Sequence, residues 1–449
     1  MKENQPSRAR FGSKFGVVMA AVGSAVGLGN IWRFPYELGM NGGFAFLLVY
    51  LLCVLALGIP VMLAELVIGR RSRSNVFGSF KVLSPNGKWH YLGVVYVVAA
   101  FIISSFYFVV AGWSLEYVYQ AVTDQFSNRS PLELSQAFTD FSTDALRPIF
   151  WTIVFVFLAA GVILAGVRKG IENISKVLMP MLFVIIVVLC VRSVTLPNAT
   201  EGLKFLFYPD FSKINSSVVL SALGQAFFSL SIGMGCLITY GSYIDKENNL
   251  LGTSVEVSVL DTLVSVLASV AIFPAVFSLG INPAKGPELV FITLPNVFMQ
   301  IPGGYVWSVL FFLLLALAAL TSIISLLEVI TAYVSEEFKI KRRTAVFMAS
   351  ALLMFSATLC SLSLGEGSVL QLFGMPIFTL FDYVSAKIFM PLGGLFIAVF
   401  LGWFCSRKMV FDELTNGGSL KTKAYDLFYF LLRYFVPIAI LMVFINELS

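Results

Sequence analysis

The sequence predicts an all-α polytopic membrane protein with eleven transmembrane helices. Hydrophobic residues make up 58% of its 449 positions and charged residues only 12%, about half the ~25% that is usual in soluble domains. A helix needs about 20 mostly apolar residues to cross ~30 Å of hydrocarbon, and eleven such stretches fit along the chain without overlap. Glycines interrupt the first and the sixth stretch, which predicts two broken helices.

The predicted spans follow one another with short connections. They cover residues 13–36, 44–69, 91–121, 148–166, 171–195, 217–243, 251–280, 305–337, 343–361, 382–405 and 426–446. We expect no separate soluble domain. The polar start of the chain lacks the apolar core of a removable signal peptide, so the first span is expected to act as its own targeting element.

Basic residues indicate the orientation in the bilayer. Lys and Arg concentrate in the amino-terminal segment and in every second connection, including residues 70–73, 339–343 and 407–408. Because short cytoplasmic segments carry the excess of Lys and Arg, the amino end is predicted to be cytoplasmic and the carboxyl end extracytoplasmic, in a bacterial inner membrane. The net charge of +5 then reflects topology, and no basic run suits nucleic acid.

The sequence lacks most of the residues that catalysis or metal binding would need. His90 is the only histidine, so neither a histidine-based triad nor a His-rich metal site can be assembled. The sequence contains no P-loop for ATP hydrolysis. It therefore predicts no enzyme, and leaves a transporter driven by an ion gradient or a passive pore or receptor.

The interruptions lie near the middle of their spans. They are AVGSAVGLGNIWRFP at residues 21–35 and SLSIGMG at residues 229–235. Unwound backbone in hydrocarbon needs protein, water or a ligand to satisfy it, although glycine in a span otherwise serves close packing. Two interruptions five spans apart are typical of transporters built from inverted repeats. Free carbonyls at such breaks suit a cation and half-helix amino ends suit an anion, which fits an amino acid zwitterion beside sodium.

An inverted repeat divides the chain into four parts. Residues 1–195 would form the first five-helix repeat and residues 217–405 the second, inserted with opposite orientation because five is odd. An extracellular connection at 196–216 would join them, and 406–449 would add a loop and one extra carboxyl-terminal helix.

Long strings in the sequence carry a family resemblance. They are GSAVGLGNIWRFPY and NGGFAF near the start, ALGQAFFSLSIGMG and ITYGSY in the sixth span, and ALTSIISLLE in the eighth. With them the chain resembles the neurotransmitter:sodium symporter family, in particular its bacterial amino acid transporters of the leucine-transporter type. The resemblance covers essentially the whole chain. It implies a sodium-coupled symporter that imports hydrophobic L-amino acids, aromatic ones included, by alternating access and without an organic cofactor.

Two sodium sites are implied by this resemblance. The first would use oxygens of Ala25, Asn30, Ser229 and Asp261 together with the substrate carboxylate. The second would use carbonyls of Gly23, Val26 and Ala318 with hydroxyls of Thr321 and Ser322. Hydroxyls within a span more often bond to the carbonyl one turn back or across helices, which is the alternative for the second site.

Asp261 departs from the leucine-transporter type, which has asparagine at this position. A carboxylate near mid-membrane is costly unless it is paired or protonated, so a protonated aspartic acid bonded to a neighbour stays an alternative. The residues that resemble the chloride shell of chloride-dependent family members are Tyr50, Gln225, Ser229 and Ser265. Asp261 is expected to supply the negative charge in place of chloride, which predicts chloride-independent transport.

The resemblance also implies the substrate site. Its residues are Ser24, Ala25, Gly27, Leu28, Gly29, Ile103, Tyr107, Phe228, Ser229, Ser231, Met234, Ser322 and Leu326. Monoamine carriers of the family have aspartate at the position of Gly27, so the ligand here is expected to bring its own carboxylate. The flexible Met234 favours larger side chains.

Two ion pairs are implied as gates. They are Arg33 with Asp382 on the outer side, above an aromatic lid of Tyr107 and Phe228, and Arg8 with Glu336 on the cytoplasmic side. The alternative for an interfacial arginine is snorkelling to the headgroups. Glu65 is expected to hydrogen-bond the unwound sixth helix, whereas Glu328 and Lys387 receive no role.

Other classes of membrane protein are alternatives to a sodium-coupled symporter. A proton-coupled amino acid carrier is the nearest, and sodium-independent uptake would favour it. A channel would pass single-channel currents without saturable amino acid uptake. A seven-span receptor is excluded by the number of spans.

Overall fold

Long helices form almost all of the fold, as the sequence predicts. The computed structural model describes residues 9–127, 129–278, 280, 289–365, 367–420 and 424–448. Within these residues, nine unbroken apolar helices are long enough to cross a membrane: Phe44–Ser72, His90–Val122, Arg147–Leu164, Val167–Val194, Leu250–Ser278, Gly304–Glu337, Arg342–Leu362, Ile377–Phe404 and Tyr425–Met442. The protein is therefore an all-α polytopic membrane protein.

The first span is a bent pair of helices. Lys14–Ala25 and Gly29–Met40 meet at 49°, and the break falls in the glycine-rich string. Ser13 caps the first helix by accepting a hydrogen bond from the backbone N–H of Gly16. The prediction of a broken first helix is confirmed, although the second half continues beyond the predicted end at residue 36.

The sixth span is interrupted more widely. Its halves are Ser216–Ser229 and Cys236–Gly241, and the intervening Ser231 and Gly233 have φ of 55° and 80°. Positive φ ends the helical hydrogen-bond ladder and is easiest for glycine. Within the described residues, the nine unbroken helices and the bent first span make ten candidate spans, and the two short halves of the sixth lie where the remaining span is predicted.

Short helices and one pair of strands occupy several of the connections between the predicted spans. The helices are Val76–Leu83, Pro131–Thr143, Ala199–Phe207, Phe211–Lys213, Val290–Met299 and Arg407–Leu414. Gln371–Leu372 and Met375–Pro376 form a small antiparallel pair in which Leu372 is opposite Met375. These elements are too short or too polar to span the bilayer.

Close helix packing holds the broken spans in the middle of the protein. The first half of span one packs against Val167–Val194, Leu250–Ser278 and Gly304–Glu337. In the second span, a Cβ at Gly69 would lie 2.0 Å from the carbonyl oxygen of Ile238 in the sixth. Small residues of this kind let membrane helices approach where no hydrophobic effect drives them together.

Candidate functional site

A buried cavity lies between the two broken helices. Its walls are Ser24, Ala25, Gly29, Ile103, Tyr107, Phe228, Ser231, Met234, Ser322 and Leu326. Every one of these residues belongs to the substrate site that the sequence analysis predicts. The remaining predicted members contact these walls: Gly27 lies against Ser322, Leu28 donates to Tyr107, and Ser229 adjoins Gly29.

Backbone groups of the first break face the cavity. The N–H of Leu28 donates to Tyr107 Oη at 2.9 Å, and Ser231 Oγ donates to the carbonyl of Ser24 at 2.8 Å. Gly27 has no room for a side chain, because a Cβ there would lie 2.1 Å from Ser322 Oγ. The unwound segments thus present both N–H and C=O groups to one enclosed space.

Ser325 extends the polar side of this space and was missed by the sequence analysis. Ser24 Oγ donates to Ser325 Oγ at 2.9 Å, and Ser325 is 1% exposed. Its spacing of three residues from Ser322 puts both hydroxyls on one helix face. That spacing is visible in the sequence and could have identified it.

Four oxygens surround the amide nitrogen of Asn30. Nδ2 lies 2.7 Å from Asp261 Oδ1, 2.8 Å from Ser265 Oγ, 2.9 Å from Ser229 Oγ and 3.1 Å from the Asp261 carbonyl. All four residues are buried. An amide nitrogen has two hydrogens to donate, so this cluster offers more oxygens than Asn30 can satisfy. The amide oxygen of Asn30 accepts from the N–H of Gly27 at 2.9 Å, and the hydroxyls of Ser229 and Ser265 donate to Asp261.

The Asp261 carboxylate has only neutral neighbours in the described part of the cluster. Its Oδ2 accepts from Ser229 Oγ at 2.7 Å and from Tyr50 Oη at 3.3 Å. Gln225 contacts the first break instead, where its Nε2 donates to the Gly29 carbonyl at 2.8 Å. Hydrogen bonds orient this carboxylate without cancelling its charge, so a cation beside it would lower the cost of burial.

A second oxygen cluster joins the first span to the eighth. Thr321 Oγ1 lies 3.0 Å from the Ala318 carbonyl and 3.5 Å from the Val26 carbonyl. Ser322 Oγ lies 3.2 Å from the Val26 carbonyl and 3.5 Å from that of Gly23. The five predicted residues therefore meet, and each hydroxyl has one hydrogen for several oxygens.

Glu65 holds the unwound sixth helix. Its Oε1 accepts from the N–H of Gly233 at 2.8 Å, and it is fully buried. A Cβ at Gly233 would lie 2.4 Å from the Met390 carbonyl. The expected hydrogen bond from the sixth helix to Glu65 is present.

The outer ion pair is arranged differently from the expectation. Arg33 pairs with Glu37 at 3.7 Å and lies 4.7 Å above the Phe228 ring. Within the described residues, no ion pair joins Arg33 to Asp382, although Asp382 acts on it electrostatically. Glu37 is four residues along the same helix and reaches Arg33 without any approach of the tenth span. The predicted lid residue Tyr107 is buried beneath.

At the end of the bundle where the inner gate is predicted, Phe11 covers the residues that follow the break of the sixth span. Phe11 packs edge-on against Tyr240 and Tyr243, with ring centroids 5.8 and 6.0 Å apart. Glu336 accepts from the backbone N–H of Asn75 at 2.9 Å. Arg8, the predicted partner of Glu336, lies outside the described residues.

Glu172 also fastens the first helix and was not predicted. It accepts from the N–H of Gly12 at 2.6 Å and from Ser13 Oγ at 3.1 Å. Lys176 pairs with the same carboxylate at 2.5 Å. A negative charge from the fifth span therefore caps the amino end of the first, where the helix dipole favours it.

Glu328 has partners that the sequence did not reveal. Arg342 Nη1 and Nη2 donate to its two carboxylate oxygens at 2.8 and 2.5 Å, and Tyr243 Oη donates at 2.7 Å. The eighth and ninth spans are thus fastened to the second half of the sixth. Lys387, which also had no predicted role, lines a separate outer crevice near Arg33 and Glu37.

Replacing Glu328 by glutamine is expected to destabilise the protein. The change leaves Arg342 without its carboxylate, and the loss is about 2–3 kcal/mol, below the full value for a buried pair because Arg342 is partly exposed. Thermal unfolding in detergent measures it. Arg407→Gln, which breaks an exposed pair with Asp426, is the control and should leave the melting temperature unchanged. Equal melting temperatures for both variants would contradict a structural role for Glu328.

Two broken helices, an enclosed cavity between them and oxygen clusters beside it define a secondary transporter. A family model described as the sodium:neurotransmitter symporter family matches residues 8–130 and 125–449. The chain belongs to this family. It is a sodium-dependent symporter embedded in a membrane, and not an enzyme.

Similar proteins match nearly the whole of this chain. An uncharacterized sodium-dependent transporter, YhdH of Bacillus subtilis, is 37% identical over 99% of this chain and 98% of its own. The crystal structure of MhsT in complex with L-phenylalanine is 43% identical, with a TM-score of 0.92 over 98% of this chain and 99% of that one. The sodium- and chloride-dependent GABA transporter 2 of Mus musculus is 26% identical over 98% of this chain and 80% of its own.

Proposed function

We propose that the protein imports hydrophobic L-amino acids with sodium, by alternating access and without chloride. The observation that carries the proposal is the enclosed cavity, in which apolar walls face unwound backbone. The similar MhsT was solved with L-phenylalanine, which supports a hydrophobic and aromatic-compatible site.

The substrate would lie with its polar end at the two breaks. Its carboxylate would accept from the N–H groups of Leu28 and Gly29 and from Tyr107 Oη, in place of the bond that joins Leu28 to Tyr107. Its amino group would donate to the Ala25 and Phe228 carbonyls and Ser231 Oγ. The apolar side chain would contact Ile103, Phe228, Met234 and Leu326, which are buried cavity walls.

Two sodium ions would be carried as cosubstrates. The first would bind at Ala25, Asn30, Ser229 and Asp261, where the oxygens of Ser229 and Asp261 lie beside the Asn30 amide. The second would bind at Gly23, Val26, Ala318, Thr321 and Ser322. Because the substrate carboxylate would complete the first site, loss of either ligand would weaken binding of the other.

Asp261 accounts for the proposed independence from chloride. It is buried and its carboxylate shares hydrogen bonds with Tyr50 and Ser229. The carboxylate would supply the negative charge that a bound chloride ion supplies in a chloride-dependent relative. The negative charge of the Asp261 carboxylate would then repel a chloride ion from this position.

Alternating access would move the broken helices against the rest of the spans. We propose that residues 1–195 and 217–405 are inverted repeats joined by 196–216, with 406–449 added. The amino end would be cytoplasmic, by the distribution of basic residues. The gates would be Arg33 with Asp382 outside and Arg8 with Glu336 inside, and Arg33 would exchange Glu37 for Asp382 on closure.

Uptake into proteoliposomes tests the proposal. Labelled phenylalanine, tyrosine, tryptophan and leucine should enter only with an inward sodium gradient, and potassium should not replace sodium. Replacing chloride by gluconate should leave the rate unchanged. Uptake that persists without sodium would indicate a proton-coupled carrier, and collapse in gluconate would contradict the role of Asp261. Currents without saturable uptake would indicate a channel.

A further inference from the structure

An arginine surrounded by aromatic rings lies on the last two spans, away from the transport site. The guanidinium carbon of Arg433 is 4.4 Å from the centroid of the Trp403 ring, 5.5 Å from that of Tyr434 and 5.9 Å from that of Tyr429. Arg407 lies 5.3 Å from the same Tyr429 ring. These five residues are called the Arg433 patch below.

The Arg433 patch lies near the end of Ile377–Phe404 and in the first half of the helix that begins at Tyr425. Arg433 is eight residues into the helix that begins at Tyr425, or ~12 Å along its axis. Trp403, the next-to-last residue of Ile377–Phe404, donates from Nε1 to the Arg433 carbonyl at 2.9 Å. Tryptophan in membrane proteins concentrates at the level of the headgroups, so the side chain of Arg433 is within reach of lipid phosphates.

The patch faces lipid. Only 33% of the apolar window of Tyr425–Met442 is buried in the protein, so the eleventh span is peripheral. Trp403 is 53% exposed and Tyr434 is 43% exposed. Phe404 and Phe430 are exposed beside them. Apolar area of this kind on a transmembrane helix is covered by acyl chains.

Arg433 has a positive charge without a compensating carboxylate. In the described part of the chain, no ion pair within 4 Å includes Arg433, whereas Arg407 pairs with Asp426 at 2.7 Å. Arg433 Nε is buried and has no hydrogen-bond partner there. Aromatic rings attract a cation and fix its plane, but they accept none of its N–H groups as a carboxylate would. An anion is the missing partner.

We propose that the Arg433 patch binds the phosphate of an anionic phospholipid. The guanidinium fork matches two phosphate oxygens, and the rings that surround it limit its movement. The lipid's acyl chains would cover the exposed aromatic faces. Arg407 adds no net charge because it pairs with Asp426, so the uncompensated charge of Arg433 is what favours a headgroup of net negative charge such as phosphatidylglycerol over a zwitterionic one.

Quenching of tryptophan by brominated lipids tests this site in the full-length protein. The protein in detergent is titrated with dibrominated phosphatidylglycerol or phosphatidylcholine, and the Trp403 contribution is the difference between wild type and Trp403→Phe. Half-maximal quenching should need about tenfold less phosphatidylglycerol than phosphatidylcholine, a preference of ~1.4 kcal/mol. Equal quenching by the two lipids would overturn the proposal, whatever the behaviour of any variant.

Two charge-removing variants test whether Arg433 causes the preference for phosphatidylglycerol over phosphatidylcholine. Arg433→Gln should abolish the preference for phosphatidylglycerol. Arg343→Gln is the matched control and should retain the preference, because Arg343 lies outside the patch and contacts a single ring, that of Phe347, at 5.9 Å. Both variants should keep the size-exclusion profile and sodium-dependent uptake of the wild type. A preference unchanged in Arg433→Gln, or lost equally in Arg343→Gln, would overturn the assignment to the patch.

A third arm separates lipid from soluble anion. Inorganic phosphate added at constant ionic strength should not relieve quenching by the brominated phosphatidylglycerol, because it cannot cover the aromatic faces. Relief by inorganic phosphate, with no effect of sodium sulfate at the same ionic strength, would mean that the patch binds soluble phosphate and would overturn the lipid proposal.

Discussion

Replacing Asp261 by asparagine is expected to make uptake depend on chloride and to weaken the apparent affinity for sodium. The carboxylate is the formal charge in the oxygen cluster around Asn30, where its Oδ1 is 2.7 Å from Asn30 Nδ2. Asparagine keeps the size of the side chain and removes the charge. The substitution therefore tests electrostatics at nearly constant shape.

Coulomb's law gives the size of this effect. Opposite unit charges 4 Å apart interact by about 4 kcal/mol at an effective dielectric constant of 20, which is about a thousandfold in affinity. Compensation by neighbouring dipoles lowers that figure, so we expect at least about a tenfold increase in the sodium concentration for half-maximal uptake. The hydroxyls of Tyr50, Ser229 and Ser265 stay in place to bind an anion.

The prediction for Asp261→Asn is tested by measuring uptake against sodium concentration, once in chloride and once in gluconate. The variant should be slow in gluconate and recover in chloride, whereas the wild type should be equal in both. Asp140→Asn makes the same chemical change at an exposed position of the helix Pro131–Thr143 and should behave as wild type. An Asp261→Asn protein with unchanged sodium dependence in gluconate would show that the aspartic acid is neutral.

The two helix breaks were predictable because their causes are local. Ser231, Gly233 and Gly235 adopt positive φ, and glycine at two of these positions is visible in the string SLSIGMG. The resemblance then supplied which oxygens converge. It placed Thr321 and Ser322 beside carbonyls of the first break almost 300 residues away, which composition and periodicity could not have done.

The side-chain partners at the edges of the site were not predictable in the same way. Glu328 meets Tyr243 across 85 residues of sequence, and Glu172 meets the Gly12 N–H across 160. Many basic and hydroxyl residues compete for such a carboxylate, and only the packing of spans selects among them. The ion pair of Arg33 differs from the expectation for the opposite reason: Glu37 is a local partner four residues along the chain, whereas the pairing with the distant Asp382 stays a prediction.

Replacing Gly27 by alanine is expected to abolish most amino acid uptake without unfolding the protein. A Cβ at this position would lie 2.1 Å from Ser322 Oγ, 2.5 Å from Tyr107 Oη and 2.9 Å from Ser322 Cβ. Real Cβ contacts of this length do not occur, so both side chains must move. Tyr107 would leave the N–H of Leu28, and Ser322 would leave the carbonyls of Ser24 and Val26.

The clash is expected to disturb both the substrate cavity and the proposed second sodium site. Tyr107 and Ser322 are cavity walls, and Ser322 also belongs to the proposed second sodium site. Overpacking costs about 1–3 kcal/mol, and the upper end corresponds to about a hundredfold; we expect a loss of that order in uptake. Because the strain falls on two side chains and not on the packing of whole spans, the purified variant should elute as the wild type does.

A matched glycine separates the local clash from a general intolerance of alanine. Gly224 lies in the sixth span, and a Cβ there would have only the Ala386 carbonyl nearby, at 3.8 Å. Gly224→Ala should therefore transport as wild type, with helix propensity slightly improved. Initial uptake rates over a range of amino acid concentrations compare the two variants. If Gly27→Ala transported as fast as Gly224→Ala, the space between Tyr107 and Ser322 could not be where the substrate carboxylate and the second sodium ion bind.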